Sequence, residues 1–323
     1  MEISLYSFLI QFLQQRQETV MKIGCLADLH LTSRTPETRT DSYTDAILEK
    51  LEKTIDLFEN AGCEIVVCAG DFLDTEKEPY RLVNYLIDYF RKRVWARNNW
   101  FFSVAGQHDQ VNHTLNLENT PYQTLVASGC IEHLGKHPRS LRDGVYLYGC
   151  SWGEKIPKIV TEGEINILVI HKMIVQEKIW EGQENVVFGK DFLKENKFDF
   201  IVSGDNHKPF TEIYRGRVLI NCGSLGRLKS DQRDYQPYGH IIDTDKPGDF
   251  DKIKIPLKNK SVFDIAKKVK KKANKKELEA FIETLDKRSV KMDFRDKIED
   301  KKSKIKNPDI LSEIDSVLSG QRS

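Results

Sequence analysis

The chain has no excess of one charge. Its 323 residues carry 50 Lys/Arg against 49 Asp/Glu, a net of +1, so bulk charge neither announces nor excludes a polyanionic partner. It also lacks a long apolar run: no stretch reaches the roughly 18 to 20 residues needed to cross a bilayer, and no membrane is expected among its partners. The first twenty residues hold one apolar cluster, Leu5-Tyr6-Ser7-Phe8-Leu9-Ile10. Glu2 stands where a basic region would be and no small-residue cleavage site follows, so 1–20 reads as an N-terminal extension and not a signal peptide. The six cysteines form no C-x-x-C pair and sit in or beside apolar runs, where a thiol behaves as a small hydrophobe. A cytoplasmic, reducing location is expected. Internal repeats and Gly/Ser linkers are absent as well.

A hydrophobic content of 39% can build a substantial core, enough for one large domain plus an appendage. Charge is unevenly spread: from Ser261 onward there are 17 Lys/Arg against 12 Asp/Glu, so the tail is basic and the body mildly acidic. Short runs rich in Val, Ile and Cys recur at 22–27, 64–69, 100–105, 145–150, 166–170 and 198–203 and read as buried strands. Between the first three, 45–60 and 79–95 show helical apolar spacing, with Pro79 placed for a first turn. Strand, helix, strand alternation predicts an α/β fold. Closely spaced strands at 211–214, 218–222 and 238–243 are expected to form an antiparallel meander in a second sheet packed on the first. The domain division expected is 1–20 as extension, 21–245 as the main domain, and 246–323 as a Lys-rich, mainly helical C-terminal region.

Five polar stretches follow apolar runs: Asp28-Leu29-His30, Gly70-Asp71-Phe72-Leu73-Asp74, Gly106-Gln107-His108-Asp109, His171, and Gly204-Asp205-Asn206-His207. Taken singly each is weak. A lone histidine is more often a satisfied polar residue than a ligand, and Gly-Asp at a strand end is a common turn. All five, however, fall at the C-terminal ends of predicted strands, the edge where open α/β sheets bind ligands. A mixed His/Asp donor set suits manganese, iron or zinc.

In this order the stretches resemble the signature of the calcineurin-like metallophosphoesterases, D-x-H, G-D-x-x-D, G-N-H-[DE], H, G-H-x-H, across residues 22 to 207. The resemblance implies a four-layer αββα sandwich and two divalent metal ions. One would be held by Asp28, His30, Asp71 and His207, and the second by Asp71, Gln107, His171 and Asp205. Phosphodiester hydrolysis would use a metal-bridging hydroxide, with His108 stabilising the transition state or protonating the leaving oxygen and Asp74 orienting it; Asp109 is expected to be a turn or cap residue. Two positions depart from the pattern, Gln107 for Asn and Asp205 for His. The second site is thereby richer in oxygen, which points to manganese, with magnesium or iron(II) as alternatives. A centre working with one tightly held metal stays open.

The chain continues Thr75-Glu76 after Asp74, without the Arg-Gly that protein phosphatases of this superfamily carry there. The segment 198–243, with Asn221-Cys222-Gly223-Ser224-Leu225-Gly226-Arg227, is similar to the SbcD-type DNA exonuclease subunit. That resemblance implies DNA as substrate, a coiled-coil ATPase partner of the SbcC kind, and a homodimer. Arg91-Lys92-Arg93, Arg97, Arg227, Lys229 and Arg233 are candidate phosphate contacts, and the Lys267–Lys276 run in the C-terminal region would either grip DNA or form an amphipathic helix for the partner ATPase. Two other readings stay open: a small-molecule or nucleotide phosphodiesterase, and a weakly active or non-catalytic DNA-binding subunit.

Overall fold

The computed structural model describes residues 21–95, 100–142, 144–178, 186–246, 248–257 and 262–264, with isolated positions between 302 and 315. The extension 1–20, Arg97, the Lys267–Lys276 run and most of the last fifty residues lie outside the described residues. The chain divides into two compact units, one taking in residues to Pro36 together with Asp41–Ser261, the other Glu37–Thr40 together with Val262–Ser323. In the second, Arg39 forms a bridge with Phe263 and lays its guanidinium 5.5 Å above that ring. Among the described residues no helix is long and apolar enough to cross a membrane.

The first unit contains two six-stranded sheets. One joins β1 (Lys22–Leu26), β2 (Ile65–Ala69), β3 (Trp100–Val104) and β4 (Glu132–His133) in parallel, with β13 (Tyr238–Asp243) and β14 (Phe250–Lys254) added antiparallel beyond β1. The other runs β11 (Phe210–Tyr214), β12 (Arg217–Asn221), β10 (Phe200–Gly204), β7 (Ile165–His171), β6 (Val145–Cys150) and β5 (Arg139–Arg142); β6, β7, β10 and β12 are parallel. A small pair, β8 (Ile174–Val175) and β9 (Val187–Phe188), stands apart.

Side-chain alternation explains why the strands are apolar on both faces. Ile23, Cys25, Ile65, Val67, Phe102 and Val104 point to a central core, where they meet Val145, Leu147, Ile167, Val169, Phe200, Val202, Val218 and Ile220. The intervening residues of the first sheet, Leu26, Val66, Cys68 and Phe101, pack beneath α1 (Tyr43–Asn60), α2 (Tyr80–Phe90) and α3 (Pro121–Ala127). Those of the second, Leu168, Ile170, Ile201 and Leu219, pack beneath α4 (Gly189–Glu195). The result is the expected αββα sandwich. Helix α1 is capped by Ser42, whose hydroxyl accepts from the Asp45 amide, and its Phe58 ring covers Gly24, where a Cβ would lie 2.5 Å from the ring.

One expectation is corrected. β11 and β12 form a hairpin in the second sheet, but β13 leaves them and pairs antiparallel with β1 in the first. The sixteen residues between Asn221 and Tyr238 give the chain room to cross, and Ile241 and Ile242 are buried on opposite faces, so the apolar pattern does not say which sheet receives them.

Candidate metal centre

Parallel neighbours β1, β2 and β3 in one sheet, and β7 and β10 in the other, end along a common edge. Asp28 and His30 follow β1, Asp71 and Asp74 follow β2, Gln107 and His108 follow β3, His171 closes β7, and Asp205 and His207 follow β10. Main-chain bonds from Asp28 to Gly70, His30 to Asp71 and Leu31 to Phe72, each 3.0 Å, prolong the β1–β2 pairing past the strand ends and set the first two stretches side by side. The turns are sharp: Asp28, His30, Asp71 and Asp205 have φ of 48°, 46°, 46° and 79°. Left-handed backbone at a residue with a Cβ costs about 1 kcal/mol or more, and four such residues share this edge.

The donor atoms converge. His30 Nε2 lies 3.1 Å from His207 Nε2. Asp71 Oδ2 lies 3.5 Å from His171 Nε2, 3.7 Å from His30 Nε2 and 3.9 Å from His108 Nε2. Among the described residues three groups bring ligand atoms within 4.8 Å of one another: Asp28, His30 and His207; His30, Asp71 and His108; Asp28, Asp71 and His171. The remaining carboxylate oxygens are committed, Asp28 Oδ1 accepting from the Asp205 amide and Asp71 Oδ1 from the His108 amide, both at 3.0 Å. Asp28 Oδ2 and Asp71 Oδ2 are buried without a hydrogen-bond partner among the described residues. Orphaned buried anions are costly, and facing imidazole nitrogens at 3.1 Å have at most one proton to share; a cation answers both. The residues therefore fit a divalent metal centre.

The electrostatics agree. Burial pushes the Asp28 carboxyl up to about 7, His171 opposing the rise and Asp71 adding to it. Burial acts the same way on Asp71, but the rings of His171, His30 and His108 hold it well below the ordinary range. Burial would lower His171; Asp71 and Asp28 raise it to about 10. Burial and the His30 ring push His207 down to about 4, leaving its nitrogen a ready donor.

The calcineurin-like phosphoesterase profile matches residues 21–209, more than half of the chain. The chain belongs to this family. No curated protein matches it in sequence. Among solved structures, TT1561 of Thermus thermophilus is similar at 12% identity over 74% of this chain and 100% of that one, TM-score 0.47. A calcineurin-like phosphoesterase of Bacillus subtilis, YfkN, is similar at 15% identity over 76% and 91%, TM-score 0.42. A structure described as a novel archaeal phosphodiesterase is similar at 16% identity over 72% and 99%, TM-score 0.39. Calcineurin-like phosphoesterases are hydrolases of phosphate esters and bind two divalent metals, which fits the donor groups described above.

In this calcineurin-like phosphoesterase the predicted residues meet at one edge, with three refinements. Asp74 holds His108 through its main-chain carbonyl, 2.8 Å from Nδ1, while its carboxylate stands 3.2 Å from His30 Nδ1. Asp109 is fully buried and caps the turn, accepting from the amides of Phe72, Leu73 and Gly106. Gln107 and Asp205, the two departures from the family pattern, touch: Gln107 Nε2 donates to Asp205 Oδ1 at 3.1 Å, and Gln107 Oε1 lies 2.8 Å from His171 Nε2.

Several residues that hold the site escape a reading of the sequence. Buried Glu78 accepts from Thr32 Oγ1 at 2.6 Å and from Ser33, fixing the loop after His30. The loop after β12 ties both sheets, the Ser224 amide donating to the His207 carbonyl and the Leu225 amide to the Asp28 carbonyl, each 3.2 Å, while Tyr235 donates to the Ser224 carbonyl. Exposed His113 donates from Nδ1 to the Gln107 carbonyl at 3.0 Å, and its ring lies edge-on to His108. Only the Gly-Ser loop carried a visible signal, as a motif.

The basic candidates also sort themselves. Arg227 is buried, with Nη1 donating to the Arg233 carbonyl, and braces the loop. Arg93 pairs with Asp56 and Glu59 where the strands begin, at the edge opposite the site. Lys229 remains exposed and close enough to depress His207.

Proposed function

We propose that this chain is a metal-dependent phosphodiesterase that acts on DNA, an exonuclease or endonuclease of the SbcD type working in the cytoplasm, in DNA repair. The observation that carries the phosphodiesterase reading is the pair of orphaned carboxylate oxygens facing four imidazoles at the common strand edge. Asp28, His30, Asp71 and His207 would hold one divalent cation, and Asp71, Gln107, His171 and Asp205 the other, with manganese favoured and magnesium or iron(II) as substitutes. Bound there, the cations supply Lewis acidity toward a water and toward the phosphoryl oxygens. His108 does the proton work: Nδ1 donates to the Asp74 carbonyl, so Nε2, on a side chain 37% exposed, is the atom that in the doubly protonated ring gives its proton to the leaving oxygen.

DNA is supported by the surroundings of the site. Lys172 and Lys208 each follow a site histidine, Lys208 and Lys229 reach solvent, and Tyr80, 80% exposed at the start of α2, offers a stacking face. A coiled-coil ATPase partner and a homodimer belong to this reading only through the resemblance of the loop after β12 to the SbcD type.

The test is hydrolysis of labelled single- and double-stranded DNA and of a bis-aryl phosphate with manganese, magnesium or chelator. Salt-sensitive DNA cleavage with manganese, lost in chelator and reduced about 10² to 10⁴-fold in His108→Ala, is expected. Cleavage of the aryl ester alone replaces the nuclease reading with that of a small-molecule phosphodiesterase. Neither substrate cleaved would make the chain a DNA-binding subunit.

A further inference from the structure

The two halves of the centre differ in donor chemistry. The first presents two imidazole nitrogens, His30 Nε2 and His207 Nε2, with the Asp28 and Asp71 carboxylates. In the second, His171 Nε2 is the single nitrogen. Its Nδ1 is committed to the Ala69 carbonyl at 2.6 Å, which aims Nε2 at Asp71 Oδ2 and Gln107 Oε1. Nitrogen-rich sets favour borderline ions such as zinc or iron(II), whereas sets dominated by carboxylate and amide oxygen favour manganese or magnesium.

Gln107 adds a second consideration. Its amide sits on a longer stem than asparagine's, and its terminal torsion is two-fold and soft, so nothing in the side chain itself decides whether oxygen or NH₂ faces the centre. Asp205 decides it. A carboxylate only accepts, so it takes the amide N–H at 3.1 Å and leaves Oε1 on the side of His171. The residue that departs from the family pattern at 205 thus fixes the orientation of the residue that departs at 107, from 98 positions away in the chain.

We propose that Gln107 and Asp205 act as one unit that makes the second cation position oxygen-dominated, so the centre binds its two cations unequally. The position of His30 and His207 takes a borderline ion tightly, and the position of His171, Gln107 and Asp205 takes a hard ion more weakly and exchanges it. The inference rests on the metal-centre reading of the site, and is independent of which phosphate ester is cleaved.

The experiment is calorimetric titration of the full-length protein, stripped with chelator, with zinc and with manganese, alongside elemental analysis after dialysis and thermal melts of the stripped protein. Wild type should show two binding events separated by at least tenfold in affinity, with manganese displacing zinc only from the weaker. Asp205→Asn, nearly isosteric, should weaken the second event tenfold or more, leave the first within twofold, and melt in the stripped form within a few degrees of wild type. Gln107→Asn should act on the same event. The double variant Q107N/D205N should be no weaker than the worse single one, since either change undoes the same unit. Two equal zinc events in wild type, or additive losses in the double variant, would overturn the unequal, coupled centre while leaving a metal centre standing. No binding of either ion by wild type would remove both.

Discussion

The two edges of the sandwich treat charge in opposite ways. Where the strands begin, charges find partners: Arg93 reaches Asp56 at 2.6 Å, Glu59 at 3.2 Å and Glu52 at 3.7 Å, Arg142 pairs with Glu64, and Lys22 donates to the Ala61 carbonyl. Where the strands end, two buried carboxylates keep an oxygen without a partner, and four non-glycine residues hold left-handed backbone. The first edge is organised for stability. The second carries strain and carboxylate oxygens that lack a hydrogen-bond donor, which an ion would relieve, so the same sheets separate the two demands by a strand's length.

That contrast is broken most severely at Asp28. Asp28→Asn removes a ligand and a buried charge together: hydrolysis should fall at least about 10³-fold, while the metal-free protein melts no lower than the parent, as steady-state kinetics and melts in chelator would show. A fall in melting temperature as large as the fall in activity would mean that the edge is structural after all.

His240 tests the sheet between the edges. It is fully buried in β13 with neither ring nitrogen hydrogen-bonded to any described residue, and burial, with Lys252 nearby, lowers its pKa from 6.5 to about 4. A base whose folded pKa is depressed leaves stability intact above about 6.5; as pH falls from 6.5 toward 4 the unfolded chain takes the proton first and stability is lost. The loss amounts to about 3 kcal/mol at the acid end. His240→Leu should flatten this acid limb in urea unfolding compared between about pH 7 and about pH 4.5, and an unchanged pH dependence would show that other groups set it.

The smallest effect belongs to the paired edge. Arg93→Ala should cost about 2 kcal/mol of stability, seen as a lower urea midpoint, and leave the turnover number unchanged. A change in turnover would mean that the two edges are coupled.

Much of this was legible because both kinds of signal are local. Strands appear as short runs of Val, Ile and Cys, and the candidate ligands stand at their ends or within four residues beyond them. What was hidden depends on distance. The move of β13 to the first sheet is invisible because both its faces are apolar. Arg227 reads as a free cation until its loop closes on the Arg233 carbonyl. Asp74 looks like a side-chain partner for His108, yet it is the carbonyl, which every residue has, that does the holding. The contact between Gln107 and Asp205 exists only once two sheets stack.

His30 and His207 face each other across 177 positions of sequence. Unlike a zinc finger, whose ligands sit close together in the chain, this centre draws on strand ends from both sheets, braced by the loop that follows β12. No single stretch of the chain brings those two rings together. The complete donor set therefore exists only where both sheets are stacked, and an ion bound there would favour the assembled sandwich over any part of it.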